Sequence, residues 1–328
     1  MRAPFWRDKT VLVTGGTGMI GAHVAKRLLE AGARVTVATR TGRSAIWDDL
    51  LAHAPIDRRQ GDLRDAAFAR ACTAGQEVVF HFASRIAGLA YNQCHAGEMM
   101  TYNAILDLQV LDAAASNGVG SFFYPSGALV YDEAAVAPVG ERASTSGAPL
   151  WACRGAAWAK RAVETAIGFM TEQVGMSAVI ARFANIYGPG DDFGTERAHL
   201  LGNLIRCIVH DERPEIWGDG TQLRSFLYVD DAVEAALRVV ECAPGSHPIN
   251  IGGQTEYAVR DIVSMLLDIS GKPLHPLFHS DRPVGLKRKL LDNTKLRDLT
   301  AFEESTSLRT GLETTYHWYV SQCRRTVR

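Results

Sequence analysis

No apolar run in this 328-residue chain approaches the roughly 18 residues that a helix needs to cross a bilayer. A membrane protein is therefore not expected. The first apolar run after Met1 is short and ends in glycines, which argues against a signal peptide. Cysteine is sparse and scattered, at positions 72, 94, 153, 207, 242 and 323, with no CxxC pair and no histidine cluster. That pattern excludes a zinc site or disulfide framework, so no metal is expected, and it fits a reducing cytoplasm. A charge excess is also missing. Lys plus Arg number 35 against 36 for Asp plus Glu, a formal net charge of −1, which gives no electrostatic case for nucleic acid or an anionic membrane as partner. There is no internal repeat and no low-complexity segment.

What remains is an ordinary globular balance, 47% hydrophobic and 22% charged, in a length that suits one large or two modest domains. The organising stretch is Val11–Gly21, Val-Leu-Val-Thr-Gly-Gly-Thr-Gly-Met-Ile-Gly. An apolar strand breaks into glycines and then into an amphipathic helix from about Ile20 to Ala31. Gly15, Gly18 and Gly21 stand three apart, a spacing that lets a pyrophosphate sit on backbone N–H groups at a helix N-terminus. A glycine trio alone is weak evidence; its place between a strand and a helix, at the start of a βαβ unit, makes it a dinucleotide site. A second strand, Arg34–Thr39, ends without the Asp or Glu that would bind the ribose hydroxyls of NAD. It runs instead into Thr39-Arg40-Thr41-Gly42-Arg43. An arginine can pair with a 2′-phosphate, so NADP is expected, with NAD as the alternative.

Strands then alternate with helices. They are expected at Ile56–Gln60, Glu77–Phe82, from Ser121 into Pro125-Ser126-Gly127, and Ser177–Phe183, with helices over Met99–Asn117 and Ala156–Gln173. The fold class is α/β, a Rossmann-type doubly wound parallel sheet with a smaller C-terminal α/β substrate domain. The cofactor domain is placed at 1–186 with a return segment of about 225–252, and the substrate domain at 187–224 and 253–328. Asp231 and Glu234 suggest a capping box for a helix over Ala232–Val240, and Ile249–Gly252 one more strand. Asp62, after the third strand, could accept a bond from the adenine amino group.

By these residues the chain resembles the extended short-chain dehydrogenase/reductase family. The matches are Thr14-Gly15-Gly16-Thr17-Gly18-Met19-Ile20-Gly21, Gly61-Asp62-Leu63, His81-Phe82-Ala83, Asn103, Arg182 to Pro189, and Arg224 to Asp231. Within that family it looks most like GDP-L-fucose synthase and GDP-mannose 3,5-epimerase, through Ile86–Leu89, Trp217–Thr221 and Arg288–Asp292. The resemblance implies cofactor contacts from Gly15, Thr17, Gly18, Met19, Ile20, Gly21, Arg40, Asp62, Leu63, Ala83 and Lys160. It implies a nucleotide-diphosphate sugar, a GDP-sugar favoured, lying between the two domains against Asn185, Arg224 and Arg288. It also implies a homodimer built on the two long helices.

The family's chemistry rests on Ser/Thr, Tyr and Lys, with Tyr and Lys four apart on one helix face. Here the lysine is Lys160, but the position four before it is Ala156, and the serine position is Gly127, with Ser126 one earlier. The cysteine used by the two GDP-sugar enzymes is replaced by Leu129, while the synthase's partner histidine aligns with His199. The residues left for acid/base work are Lys160, His199 and Ser126, with Cys153, Tyr91 and Tyr131 as unranked substitutes. The expected function is an NAD(P)-dependent nucleotide-sugar epimerase, reductase or dehydratase with an atypical acid/base set. The alternatives are a repurposed non-redox enzyme and an inactive cofactor-binding homologue.

Overall fold

The structure, a computed structural model, describes residues 3–40, 42, 44–194, 198–242, 245, 247–282 and 286–326. Arg43, singled out above beside Arg40, lies outside them. Seven strands form one parallel sheet: β1 (Thr10–Thr14), β2 (Arg34–Thr39), β3 (Asp57–Gln60), β4 (Val78–His81), β5 (Ser121–Gly127), β6 (Ser177–Ala184) and β7 (Pro248–Gly252). Their spatial order is β7-β6-β5-β4-β1-β2-β3. The chain winds outward from β1 to β3, then returns and winds the other way from β4. The crevice at this reversal, at the C-terminal ends of β1 and β4, is where such sheets bind ligands.

The strands are apolar on both faces because helices cover both. Side-chain alternation sends Val11, Val13, Val78, Phe80 and Phe123 to one core, and Leu12, Val79, Phe122 and Tyr124 to the other. The first core lies under α1 (Met19–Glu30) and runs on into the C-terminal part of the chain. The second lies under α2 (Ala66–Thr73), α3 (Ala96–Ser116) and α4 (Arg154–Val174). Pro125 is tolerated inside a central strand because β4 pairs with β5 only as far as Phe80↔Phe123. The missing Pro N–H therefore faces no ladder partner on that side.

The helices α3 and α4 pack at close range, and Gly155 permits it. A Cβ there would stand 2.0 Å from the Ala96 carbonyl oxygen. Beyond β6 come α5 (Leu200–Val209) and α6 (Val229–Cys242). The capping box expected at Asp231 is not formed. The helix begins two residues earlier, and the buried Asp231 carboxylate accepts instead from Ser305 N–H, Ser305 Oγ and Thr306 N–H, at 3.2, 2.5 and 2.9 Å. The C-terminal part is assembled from short strands distant in sequence. Leu223–Ser225 pairs with both Glu256–Ala258 and Arg288–Lys289.

Candidate active site

The cofactor turn is shaped by contact. Gly15 has φ +67°, and a Cβ on it would meet the Ala83 nitrogen at 2.6 Å. A Cβ on Gly21 would meet the Gly15 oxygen at 2.4 Å, so α1 can approach β1 only through glycine. Gly18 is the N-cap of α1 and brings no capping side chain. The first-turn N–H groups of α1 are thus left for a ligand, the arrangement a pyrophosphate needs. Met19 and Ile20 half-bury against the core, and Leu63 is fully buried. The Ala83 N–H donates to Thr14 Oγ1 at 3.1 Å, and Thr17 Oγ1 lies 3.0 Å from Thr39 Oγ1.

At the far end of this turn, Arg40 donates to the Tyr102 hydroxyl at 2.9 Å. The guanidinium carbons of Arg40, Arg64 and Arg85 stand 6.0, 4.5 and 4.1 Å from the centre of that ring. Asp62 is gripped by Arg64, whose side chain and backbone N–H both donate to it, and this bond holds the carboxyl below its usual range.

Lys160 sits at the mouth of a buried polar chain that sequence reading missed. Its Nζ donates to Asp107 Oδ2 at 3.2 Å and lies 4.4 Å from the centre of the Tyr124 ring. Asp107, on α3 and wholly buried, also accepts from the Tyr124 hydroxyl at 2.6 Å. His81 Nε2 stands 3.1 Å from its other oxygen, and His81 Nδ1 lies 2.8 Å from Thr14 Oγ1, directly before the glycine turn. Burial pushes the Asp107 carboxyl up, but the Lys160 ammonium and the His81 and Tyr124 bonds outweigh it and hold the group at about 2. Burial and this neighbouring anion raise the Tyr124 hydroxyl far above its ordinary value, so it stays a phenol. The signal in the sequence was a lone carboxylate one turn after Asn103, on the apolar stripe of α3.

Several expected participants are committed elsewhere. Ser126 is buried and gives its hydroxyl to Glu164, itself paired with Arg182, so the structure does not bring it to the cleft. Tyr131 donates to Asn250 at 2.6 Å. Asn185, held at φ +49°, donates to the Ser225 carbonyl at 2.8 Å. Arg288 is occupied by Glu256, with bonds of 2.7 to 2.9 Å, and by the Ala137 carbonyl. The cation on the other face of that strand is Lys289, paired in register with Arg224.

His199 caps α5 without a side-chain bond to the helix. Although one flank is open to solvent, desolvation in the cleft lowers its pKa, and nearby Lys289 lowers it further. On the loop after β6, desolvation raises Asp191 to about 7; the Asp192 N–H that it accepts opposes the rise and the Asp192 carboxylate adds to it. Asp191 therefore titrates near neutrality on the loop after β6.

Residues 11–252 match the NAD dependent epimerase/dehydratase family. A dTDP-4-dehydro-6-deoxy-D-allose reductase of Streptomyces bikiniensis is 30% identical, over 97% of this chain and 98% of its own. GDP-mannose 3,5-epimerase 1 of Oryza sativa subsp. japonica is 28% identical, over 99% of this chain and 85% of its own. Among solved structures, the Thermotoga maritima UDP-glucose 4-epimerase with UDP-glucose superposes with a TM-score of 0.85 at 26% identity. It covers 97% of this chain and 100% of its own.

Proposed function

Because the chain belongs to the NAD dependent epimerase/dehydratase family, we propose that it is an NADP-dependent enzyme that epimerises, reduces or dehydrates a nucleotide-diphosphate sugar, a GDP-sugar by preference. The observation that carries this is the glycine turn, whose backbone leaves a cradle closed to any Cβ. A nicotinamide dinucleotide bound there supplies redox chemistry at the sugar. Gly15, Gly18 and Gly21 admit its pyrophosphate, and Arg40 and its neighbours around Tyr102 favour a 2′-phosphate. Lys160, paired with Asp107, is the residue that would hold the cofactor. Arg224 and Lys289, side by side on adjacent strands, suit a diphosphate. His199 supplies a ring able to donate and accept a proton.

Two further parts of the reading concern the whole protein. Met100, Ile105 and Leu108 of α3, and Trp158 and Phe169 of α4, are exposed apolar side chains on adjoining helices, and a second copy of the chain would cover them. All six cysteines are unpaired, which supports the reading that the protein works in a reducing cytoplasm. No helix among the described residues is long and apolar enough to cross a membrane.

The test is to denature purified protein and identify released nucleotide by mass spectrometry, then titrate the stripped protein with NADP+ and NAD+. NADP(H) with tighter NADP+ binding is expected. NAD(H) would overturn the cofactor preference but not the class. No nicotinamide nucleotide and no uptake would favour the second reading, a fold that abandoned redox cycling, which the loss of phenol and hydroxyl at Ala156 and Gly127 motivates.

A further inference from the structure

We infer that Asp107 and His81 are positioning residues of the cofactor site, which hold the Lys160 ammonium where the nicotinamide half of a bound dinucleotide meets it. The inference rests on the cofactor reading above. The sheet order puts β4 and β5 on one side of β1 and β2 on the other. Arg40 follows β2 and the glycine turn follows β1. A dinucleotide with its adenosine half at Arg40 and its pyrophosphate at the turn therefore extends its other half over β4 and β5. Lys160 stands on that side, with Nζ 4.4 Å from the centre of the Tyr124 ring of β5.

The hydrogen bonds beneath Lys160 run in one consistent direction. Asp107, its carboxyl held at about 2, can only accept. His81 Nε2, 3.1 Å from Asp107 Oδ1, therefore donates. In the neutral ring, Nδ1 then accepts from the Thr14 hydroxyl at 2.8 Å, and Thr14 Oγ1 in turn accepts from the Ala83 N–H at 3.1 Å. On the other carboxylate oxygen, Oδ2, the Tyr124 hydroxyl donates at 2.6 Å and Lys160 Nζ at 3.2 Å. Both oxygens are thus fixed. The ammonium has three N–H groups and the carboxylate takes one, which leaves donors for a ligand.

The His81 and Asp107 side chains have no exposure, and that of Lys160 keeps 12%. A buried ion pair adds little stability over apolar packing of the same volume. What this one provides is a cation with a single place to stand, held by side chains that are themselves locked. His81 ends β4 two residues before Ala83, and Thr14 ends β1 directly before Gly15. The ammonium is therefore referenced to the same two strand ends that shape the glycine turn.

The test is a double-mutant cycle in NADP+ affinity on the full-length protein, read by calorimetry. Lys160→Met sets the full loss, expected at about tenfold. His81→Asn, too short to reach Asp107, should lose a similar factor. His81→Gln, whose amide nitrogen can take the place of Nε2, should stay within about threefold of wild type. Adding His81→Asn to Lys160→Met should cost no more than about twofold further. Losses that multiply in the double variant overturn the inference, because His81 would then act independently of Lys160. Adenosine 2′,5′-bisphosphate, which ends at the turn, should bind every variant equally; a matching loss there would mean a damaged turn and no positioning role.

Two further readouts do not depend on these variants. Acetic anhydride acylation of Lys160 in cofactor-free protein, mapped by peptide mass spectrometry at pH 8, should be about tenfold faster in Asp107→Asn, where no carboxylate holds the proton. Lys9 and Lys26 serve as exposed controls. An unchanged Lys160 rate overturns the pairing. In wild type labelled with nitrogen-15 histidine, NMR should show His81 as the Nε2–H tautomer, with ring signals that shift on adding NADP+ and stay put with the bisphosphate. A proton on Nδ1 alone, or a ring blind to bound NADP+, overturns its role. If neither NADP+ nor NAD+ binds, the cofactor reading falls, and the acylation rate and the tautomer decide the Lys160–Asp107–His81 tie by themselves.

Discussion

At the scale of single residues, the deepest commitment in this protein is a carboxylate. Asp107 has no exposure to water, yet it is ionised, because Lys160, Tyr124 and His81 all direct positive charge or donors at it. Neutralising it strands the Lys160 ammonium at 3.2 Å from a group that no longer balances it. Asp107→Asn is expected to cost about 3 kcal/mol in denaturant unfolding. Asp107→Asn with Lys160→Met should cost less than the sum of the two single changes, because the double variant leaves no unpaired charge. The pH sign follows from the depressed value. The stabilisation is complete above the unfolded pKa of about 3.9 and is lost as pH falls through about 2. The Asp107→Asn deficit should therefore be flat from pH 5 to 8. A deficit confined to one end of that range would show that another group carries it.

Asp191 has the opposite sign. Its folded value of about 7 lies above its ordinary 3.8, so the fold prefers the neutral acid. Its contribution is present below the unfolded pKa and is lost as pH rises through about 7. Asp191→Asn should raise the melting temperature a little at pH 5, where the unfolded carboxyl is already ionised, and by several degrees more at pH 8.5. Differential scanning calorimetry at the two pH values decides this, and an equal shift at both would remove the ionisation argument.

At the scale of elements, the cofactor half was legible because each strand and helix carries its own period. Arg34–Thr39 emerged with the expected bounds, β5 ends in Pro125-Ser126-Gly127 as expected, and the other sheet strands differ by one or two residues. What the period could not reveal was made between elements. Arg288 looked like the phosphate ligand, but register with Leu223 turns it to Glu256 and presents Lys289 beside Arg224. The Asp107 network likewise needs α3, α4, β1, β4 and β5 together. Asp231, read as a cap, serves Ser305 and Thr306 some 74 residues away in sequence. The α3–α4 seam makes the same point energetically. Gly155 looks like an undesirable glycine in a helix, but a Cβ there would strike a carbonyl of α3. Gly155→Ala should therefore destabilise by about 2 kcal/mol or more, against the roughly 1 kcal/mol of stabilisation that helix propensity alone would give. A stabilising result in denaturant unfolding would mean that the helices do not meet there.

At the scale of the whole molecule, the two cores divide the labour. The core beneath α1 runs on into the C-terminal segments, so the glycine turn and those segments share one packed interior. The core beneath α3 and α4 closes on itself and leaves the outer faces of those helices to solvent. On those faces Ile105 and Leu108 lie three residues apart, and Trp158 and Phe169 eleven apart, so each pair lies along one stripe. Phe169 is 67% exposed and Ile105 49%, which is costly for a face this apolar to leave wet. Light scattering at micromolar concentration should report a dimer. Leu108→Glu with Phe169→Glu should give a monomer, because four like charges would then meet across a two-fold interface with no partner to neutralise them. The same helices carry Asp107 and Lys160 on their inner faces. Loss of the dimer should therefore also weaken NADP+ binding, whereas a monomer with undiminished affinity would separate the interface from the site.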